Sequence, residues 1–97
     1  MSIFVFAHFQ IHDQAGYDRY VELATPIFIR EGVKILGNDT APVAVTPNMQ
    51  GDKAVLLEFR DNTHFEQFFA LTDYNEAAKH RNAASTLSAV KFERFSG

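Results

Sequence analysis

The chain has no cysteine. Disulfides, thiolate nucleophiles and thiolate metal sites are therefore excluded. The absence fits a reducing compartment, so a cytoplasmic location is expected. Positive charge is scarce as well: nine Lys and Arg against twelve Asp and Glu give a formal charge of −3. A phosphate backbone is held by clustered cations, so no nucleic-acid partner is expected. No apolar run approaches the ~20 residues of a membrane span, so no membrane partner is expected either. The opening MSIFVFAHF lacks a basic segment and is soon interrupted by His8, Gln10 and His12. It reads as a strand, not a signal peptide. Internal repeats, low-complexity tracts, interdomain linkers and Gly-rich phosphate loops are also missing.

Metal chemistry finds little support. His8 and His12 are four residues apart, which on a strand places them ~13 Å apart. There is no H-x-x-x-H on a helical stretch and no carboxylate triad, so neither a metal site nor a cofactor is expected.

Aromatic residues are plentiful by contrast, with ten Phe and three Tyr in 97 residues. A chain of this length is one domain, 1–97, and about a third of its unfolded surface stays exposed after folding. Self-association is then a natural way to hide apolar surface.

Residues 3–11 read as a first strand. Ile3, Val5, Ala7, Phe9 and Ile11 form one apolar face; Phe4, Phe6, His8 and Gln10 form the other. Because the second face is apolar at its start, both faces are expected to be covered. Asp13 suits the N-cap of a helix running to Glu31, with Tyr17, Tyr20, Val21, Ala24, Ile27 and Phe28 as its apolar stripe. Pro26 is expected to kink or restart it, and Gly32 suits its C-terminal end. A short second strand is expected at 33–36, resuming at 43–46 after the turn-rich GNDTAP, with a loop at 48–52.

Residues 53–60 read as the third strand. Val55, Leu57 and Phe59 point one way; Ala54, Leu56, Glu58 and Arg60 point the other. Asp61 or Thr63 is expected to cap the next helix, Thr63 with Glu66 forming a capping box. Phe65, Phe68 and Phe69 are its buried stripe. Thr72 or Asp73 is expected to break and recap the helix, placing Tyr74, Ala77, Ala78 and Arg81 on one side. The last strand is expected at 86–95. The order β-α-β-β-α-β is the ferredoxin-like, split-βαβ arrangement of the α+β class. Its helices cover one face of a four-stranded antiparallel sheet. The other face, with Phe4, Phe6, Leu56 and Glu58, needs a cover from elsewhere. Burying those three apolar side chains is worth on the order of 5–9 kcal/mol before association costs, so a homodimer through the open sheet face is expected.

Several of these residues carry a family resemblance over nearly the whole chain. They are Tyr17 and Tyr20, Gly32, Leu57-Glu58-Phe59, Phe69, Thr72-Asp73-Tyr74, and Arg81 with Ala83 and Ala84. The chain resembles domain-of-unknown-function family 1330, a small bacterial family of the dimeric α+β-barrel superfamily. Thr72 stands where that family usually has Ser, and Gly32-Val33 stands where it often has Gly-Gly. The superfamily includes cofactor-free monooxygenases, lactone isomerases and haem enzymes, so the resemblance implies a dimer and leaves the reaction open.

Four side chains are the candidate ligand-binding groups: His8, Glu58, Tyr74 and Arg81. If Glu58 and His8 share a sheet face, the carboxylate could fix the histidine's tautomer and raise its basicity. Arg81 could clamp a ligand carboxylate through its planar fork. Each has a structural reading beside the functional one: a polar pair at a dimer seam, or an arginine pinning the helix break. His64, near a helix start, reads as a capping or surface residue. Glu58 is expected to find a partner within the chain or its dimer mate, with Arg81 or His8 the available ones. Two functions stay open. One is binding of a small organic molecule between sheet and helices, with cofactor-independent monooxygenase or isomerase chemistry as its enzymatic form. The other is a purely structural dimeric module.

Overall fold

Every odd-numbered residue from Ile3 to Phe9 is buried, and that single face organises the structure. The computed structural model describes residues 1–96; Gly97, the last residue of the expected domain, lies outside them. The elements are β1 (Ile3–Ile11), α1 (Gln14–Arg30), β2 (Lys34–Asp39), a short 3₁₀ turn (Pro47–Met49), β3 (Lys53–Phe59), α2 (Asn62–Phe69), α3 (Thr72–Ala84) and β4 (Ser85–Glu93). The four strands pair antiparallel in the order β2-β3-β1-β4. This is the ferredoxin-like α+β fold, its second helix split in two. Leu57 and Phe59 join the odd face of β1, and Tyr17, Tyr20, Ala24, Ile27 and Phe28 of α1 pack over it with Tyr74, Ala77 and Ala78 of α3. Phe4 lies opposite Glu58 and Phe92, Phe6 opposite Leu56 and Val90, and His8 opposite Ala54 and Ser88, all on the face away from the helices. No helix of the described residues is long and apolar enough to cross a membrane.

The ends of α1 follow the sequence closely. Asp13 Oδ1 accepts from the Gly16 N–H at 3.1 Å. At the other end the Gly32 N–H reaches Ile29 O and the Val33 N–H reaches Phe28 O. This paired closure requires a left-handed residue, and Gly32 has φ 70°. Of the two outcomes expected at Pro26, a restart does not occur; α1 runs through it unbroken. Glu22, whose carbonyl loses a donor, is exposed together with Pro26, so the lost bond falls on the solvent side of the helix.

The second strand departs further from expectation. It covers Lys34–Asp39, so Gly37, Asn38 and Asp39 are strand residues rather than a turn, and residues 43–46 form no strand. Pairing decides this: Gly37, Asn38 and Asp39 lie opposite Leu56, Val55 and Ala54, a ladder that outweighs their turn preference. Between Ile35 and Gly37 the register slips by one residue, a bulge that leaves Leu36 unpaired. The slip changes the alternation, so that Ile35 and Asn38 both look toward the helices.

The other boundaries differ by a residue or two: β3 ends at Phe59, and β4 covers Ser85–Glu93 rather than 86–95. Asp61 caps α2, its Oδ1 accepting from the His64 N–H at 2.8 Å, without the Thr63–Glu66 box. The residue before α3 is Leu71, not Thr72 or Asp73, and it has no side-chain cap. The break is held by Asn75, whose amide donates to Phe69 O and Leu71 O at 3.0 and 2.9 Å.

The chain partly covers its own open face. His8 Nε2 donates to Met49 O at 3.0 Å. Asp52 anchors the same segment, taking the Ile11 N–H on its side chain and donating its own N–H to Phe9 O. A Cβ on Gly51 would sit 2.4 Å from His8 Nε2, so only glycine lets the segment come this close.

Candidate functional site

Between the helical side of the sheet and α1 and α3 lies a cavity of about 190 Å³. Its walls are largely apolar, built by Val5, Ala7, Val55, Leu57, Phe28 and Phe69. Its polar lining comes from four elements: Tyr17, Tyr20 and Thr25 of α1, Asn38 of β2, Lys53 of β3, and Tyr74 and Arg81 of α3. Tyr17 and Tyr20, and likewise Tyr74 and Arg81, recur at helical spacing, which brings each pair to one side of its helix.

These groups form a connected set. Arg81 Nη1 donates to the Tyr74 hydroxyl at 2.9 Å, and that hydroxyl lies 2.9 Å from the hydroxyl of Tyr20. The Arg81 guanidinium sits over the Tyr20 ring at 5.5 Å, and Lys53 Nζ over the Tyr17 ring at 4.8 Å. Burial pushes the Tyr17 phenol up to about 12, against the pull of Arg81. Burial, with Tyr74 beside it, holds Tyr20 higher still. Both are therefore neutral donors near neutral pH. Lys53 is only 7% exposed. Burial pulls its ammonium below the ordinary lysine value, with Asp18 pulling the other way.

The structure brings two of the four candidates together and separates the others. Tyr74 and Arg81 line the cavity; His8 and Glu58 are on the opposite face of the sheet. Those two are not neighbours there either. His8 pairs in register with Ala54 and Glu58 with Phe4, a separation of ~13 Å along the strands. Neither expected partner reaches Glu58: His8 is bonded to Met49, and Arg81 to Tyr74 and Asn82. The residue opposite Glu58 on β2 is Lys34, without an ion pair among the described residues. His80 is exposed on α3.

Reading the sequence did not single out Lys53 or Asn38, and took Tyr17 and Tyr20 as packing residues. A signal for Lys53 was present. It is in phase with Val55, Leu57 and Phe59, so a charged group stands on the buried face of β3. Asn38 gave no such signal, because only the bulge turns it inward.

His64 is neither a surface residue nor a simple cap. It is 5% exposed. Its Nδ1 accepts the Arg60 N–H at 3.0 Å, and its Nε2–H donates to Glu31 O at 2.7 Å. The ring thus ties the end of α1 to the start of α2 in the neutral Nε2–H form. His64→Leu leaves the Arg60 N–H and the Glu31 carbonyl unpaired and is expected to cost about 2–4 kcal/mol in urea unfolding. The exposed His80→Leu is the control and is expected to stay within about 0.5 kcal/mol of wild type. An equal effect of the two would refute the role given to His64.

A family model described as "Domain of unknown function (DUF1330)" matches residues 2–95. No curated protein matches the chain. Several solved structures share its fold. A protein of unknown function from Rhodopseudomonas palustris superposes with a TM-score of 0.85 at 17% identity, over 99% of this chain and 84% of that one. SnoaB, a cofactor-independent oxygenase from Streptomyces nogalater, gives 0.72 at 14% identity, over 99% and 95%. A dimeric ferredoxin-like protein of unknown function from Thermobifida fusca gives 0.66 at 18% identity, over 95% and 90%.

Proposed function

We propose that this chain, which belongs to the family described as "Domain of unknown function (DUF1330)", is a homodimeric protein that binds a small organic molecule in the cavity between its sheet and helices. The cavity carries this reading: apolar walls with a few convergent polar groups are the usual make-up of a small-molecule site. Tyr74 and Arg81 are the binding groups among the four candidates. His8 and Glu58 belong to the open face, where Glu58 meets a partner group from the second copy. The likeness to an oxygenase is one of fold, and the residues named here are binding groups without an assigned reaction. A reducing cytoplasm is the compartment that a cysteine-free chain fits.

Native mass spectrometry of protein purified from its own host tests the reading. A retained molecule, released on denaturation, is the expected result. Ala24 is 1% exposed and lines the cavity, so Ala24→Leu fills the space, and the folded variant is expected to lose the adduct. A variant that keeps the same adduct would place the molecule elsewhere. Wild-type protein without any adduct would favour the structural module.

A further inference from the structure

We infer that the molecule held in this cavity is a small carboxylic acid of about one ring's size, bound as its anion between Lys53 and Arg81. This rests on the cavity reading above and adds the chemical class of the ligand. Three observations on the lining lead to it.

The first is charge. Two cationic side chains line the cavity and no Asp or Glu does. Lys53 is buried without an ion pair or hydrogen bond for its ammonium among the described residues. Asp18 is the acidic group whose charge reaches it, yet Asp18 accepts instead from Gln14, at 2.8 Å. An ammonium set in a largely apolar lining without a counter-charge is costly, and an anion in the cavity supplies one.

The second is the balance of donors and acceptors. Tyr20 and Tyr74 have two hydroxyl protons between them, but their mutual bond uses one. Arg81 occupies the Tyr74 oxygen as a donor, so it takes up neither proton. One O–H is therefore left over whichever way the pair is oriented. Lys53 adds three N–H donors, and Arg81 has N–H groups beyond those given to Tyr74 and Asn82. The lining also holds acceptor oxygens on Tyr17, Thr25 and Asn38, but none of them is anionic, and a carboxylate is the compact group that satisfies several N–H donors at once.

The third is size. A cavity of about 150 Å³ with apolar walls accommodates benzene. The volume here, about 190 Å³, adds room for one small substituent. Arg81 is half-buried, at the α3 side, and Lys53 is deeper; each rests on one of two tyrosine rings whose centroids are 5.7 Å apart.

Benzoate and benzamide, alike in shape but different in charge, test the inference by calorimetric titration of the wild-type protein and of Lys53→Met. Benzoate is expected to bind wild type at least about tenfold more tightly than benzamide. Lys53→Met is expected to remove most of that preference, weakening benzoate far more than benzamide. Benzamide binding as tightly as benzoate to wild type overturns the anion assignment and leaves the cavity reading standing. A preference that survives undiminished in folded Lys53→Met overturns the placement of the anion at Lys53. If neither probe binds, native mass spectrometry separates the two readings. A retained neutral molecule overturns the anion alone, and an empty protein overturns both.

Discussion

Phe59→Ala is expected to lower stability by about 3–5 kcal/mol, the usual cost of emptying a fully packed aromatic site. Phe59 ends β3 and is 0% exposed. Its ring meets those of His64 and Phe65 at 5.4 Å between centroids, and those of Phe68 and Phe69 at 5.7 Å. All four partners are on α2, so the side chain is the point at which that helix is fastened to the sheet. A domain of this size has about 5–15 kcal/mol in total, and the substitution removes a large part of it. Urea unfolding at one fixed protein concentration should show an earlier midpoint with an unchanged slope. Phe95→Ala, on a side chain 88% exposed, should change little. A loss below about 1 kcal/mol for Phe59→Ala would mean that α2 is held by something other than this cluster.

Val90→Glu is expected to convert the proposed dimer to a monomer. On the open face Val90 lies opposite Phe6, which in turn lies opposite Leu56, so the three form a central apolar row. Phe4 and Phe92 form the next row, their rings edge to face at 5.6 Å. Val90 is 54% and Phe92 45% exposed in the single chain. A carboxylate at position 90 therefore leaves the chain's own core untouched and is solvated in the monomer. Pressed against a second sheet it would be desolvated, at a cost of several kcal/mol per ion, and a two-fold interface counts that cost twice. Light scattering should give twice the 11.0 kDa chain mass for wild type and the single mass for the variant. A monomeric wild type, or a variant that stays dimeric, refutes assembly through this face.

The layout of the fold was legible where two signals agreed. In β1 the odd positions were apolar throughout, and its bounds in the structure are those read from the sequence. Asp13 and Gly32 likewise marked both ends of α1 through chemistry that acts within a few residues. Errors came where the deciding contact was distant. Gly37-Asn38-Asp39 has turn composition, but β3 recruits it into the sheet. Pro26 is tolerated because it and Glu22, whose carbonyl loses a donor, are on the exposed side of the helix. The candidate site was half legible for the same reason. Tyr74 and Arg81 share a helix side, which spacing predicts. The separation of His8 from Glu58 depends on the register of β1 against β3, which no local pattern encodes.

The bulge in β2 also bears on how copies of this chain avoid sticking to one another. A four-stranded open sheet has two edges, here β2 and β4, each with unpaired backbone groups that could template another strand. At β2 the ladder is broken at Leu36, so an incoming strand meets a bent rail instead of a straight one. At β4 the outer stretch carries Lys91 and Glu93, charges that discourage an uncontrolled neighbour. Both features disfavour endless edge-to-edge growth, while the apolar rows remain on the flat of the sheet. In the proposed dimer, contact through that flat surface closes after two copies, so the same irregularity that turns Asn38 toward the cavity also favours a finite particle over a fibre.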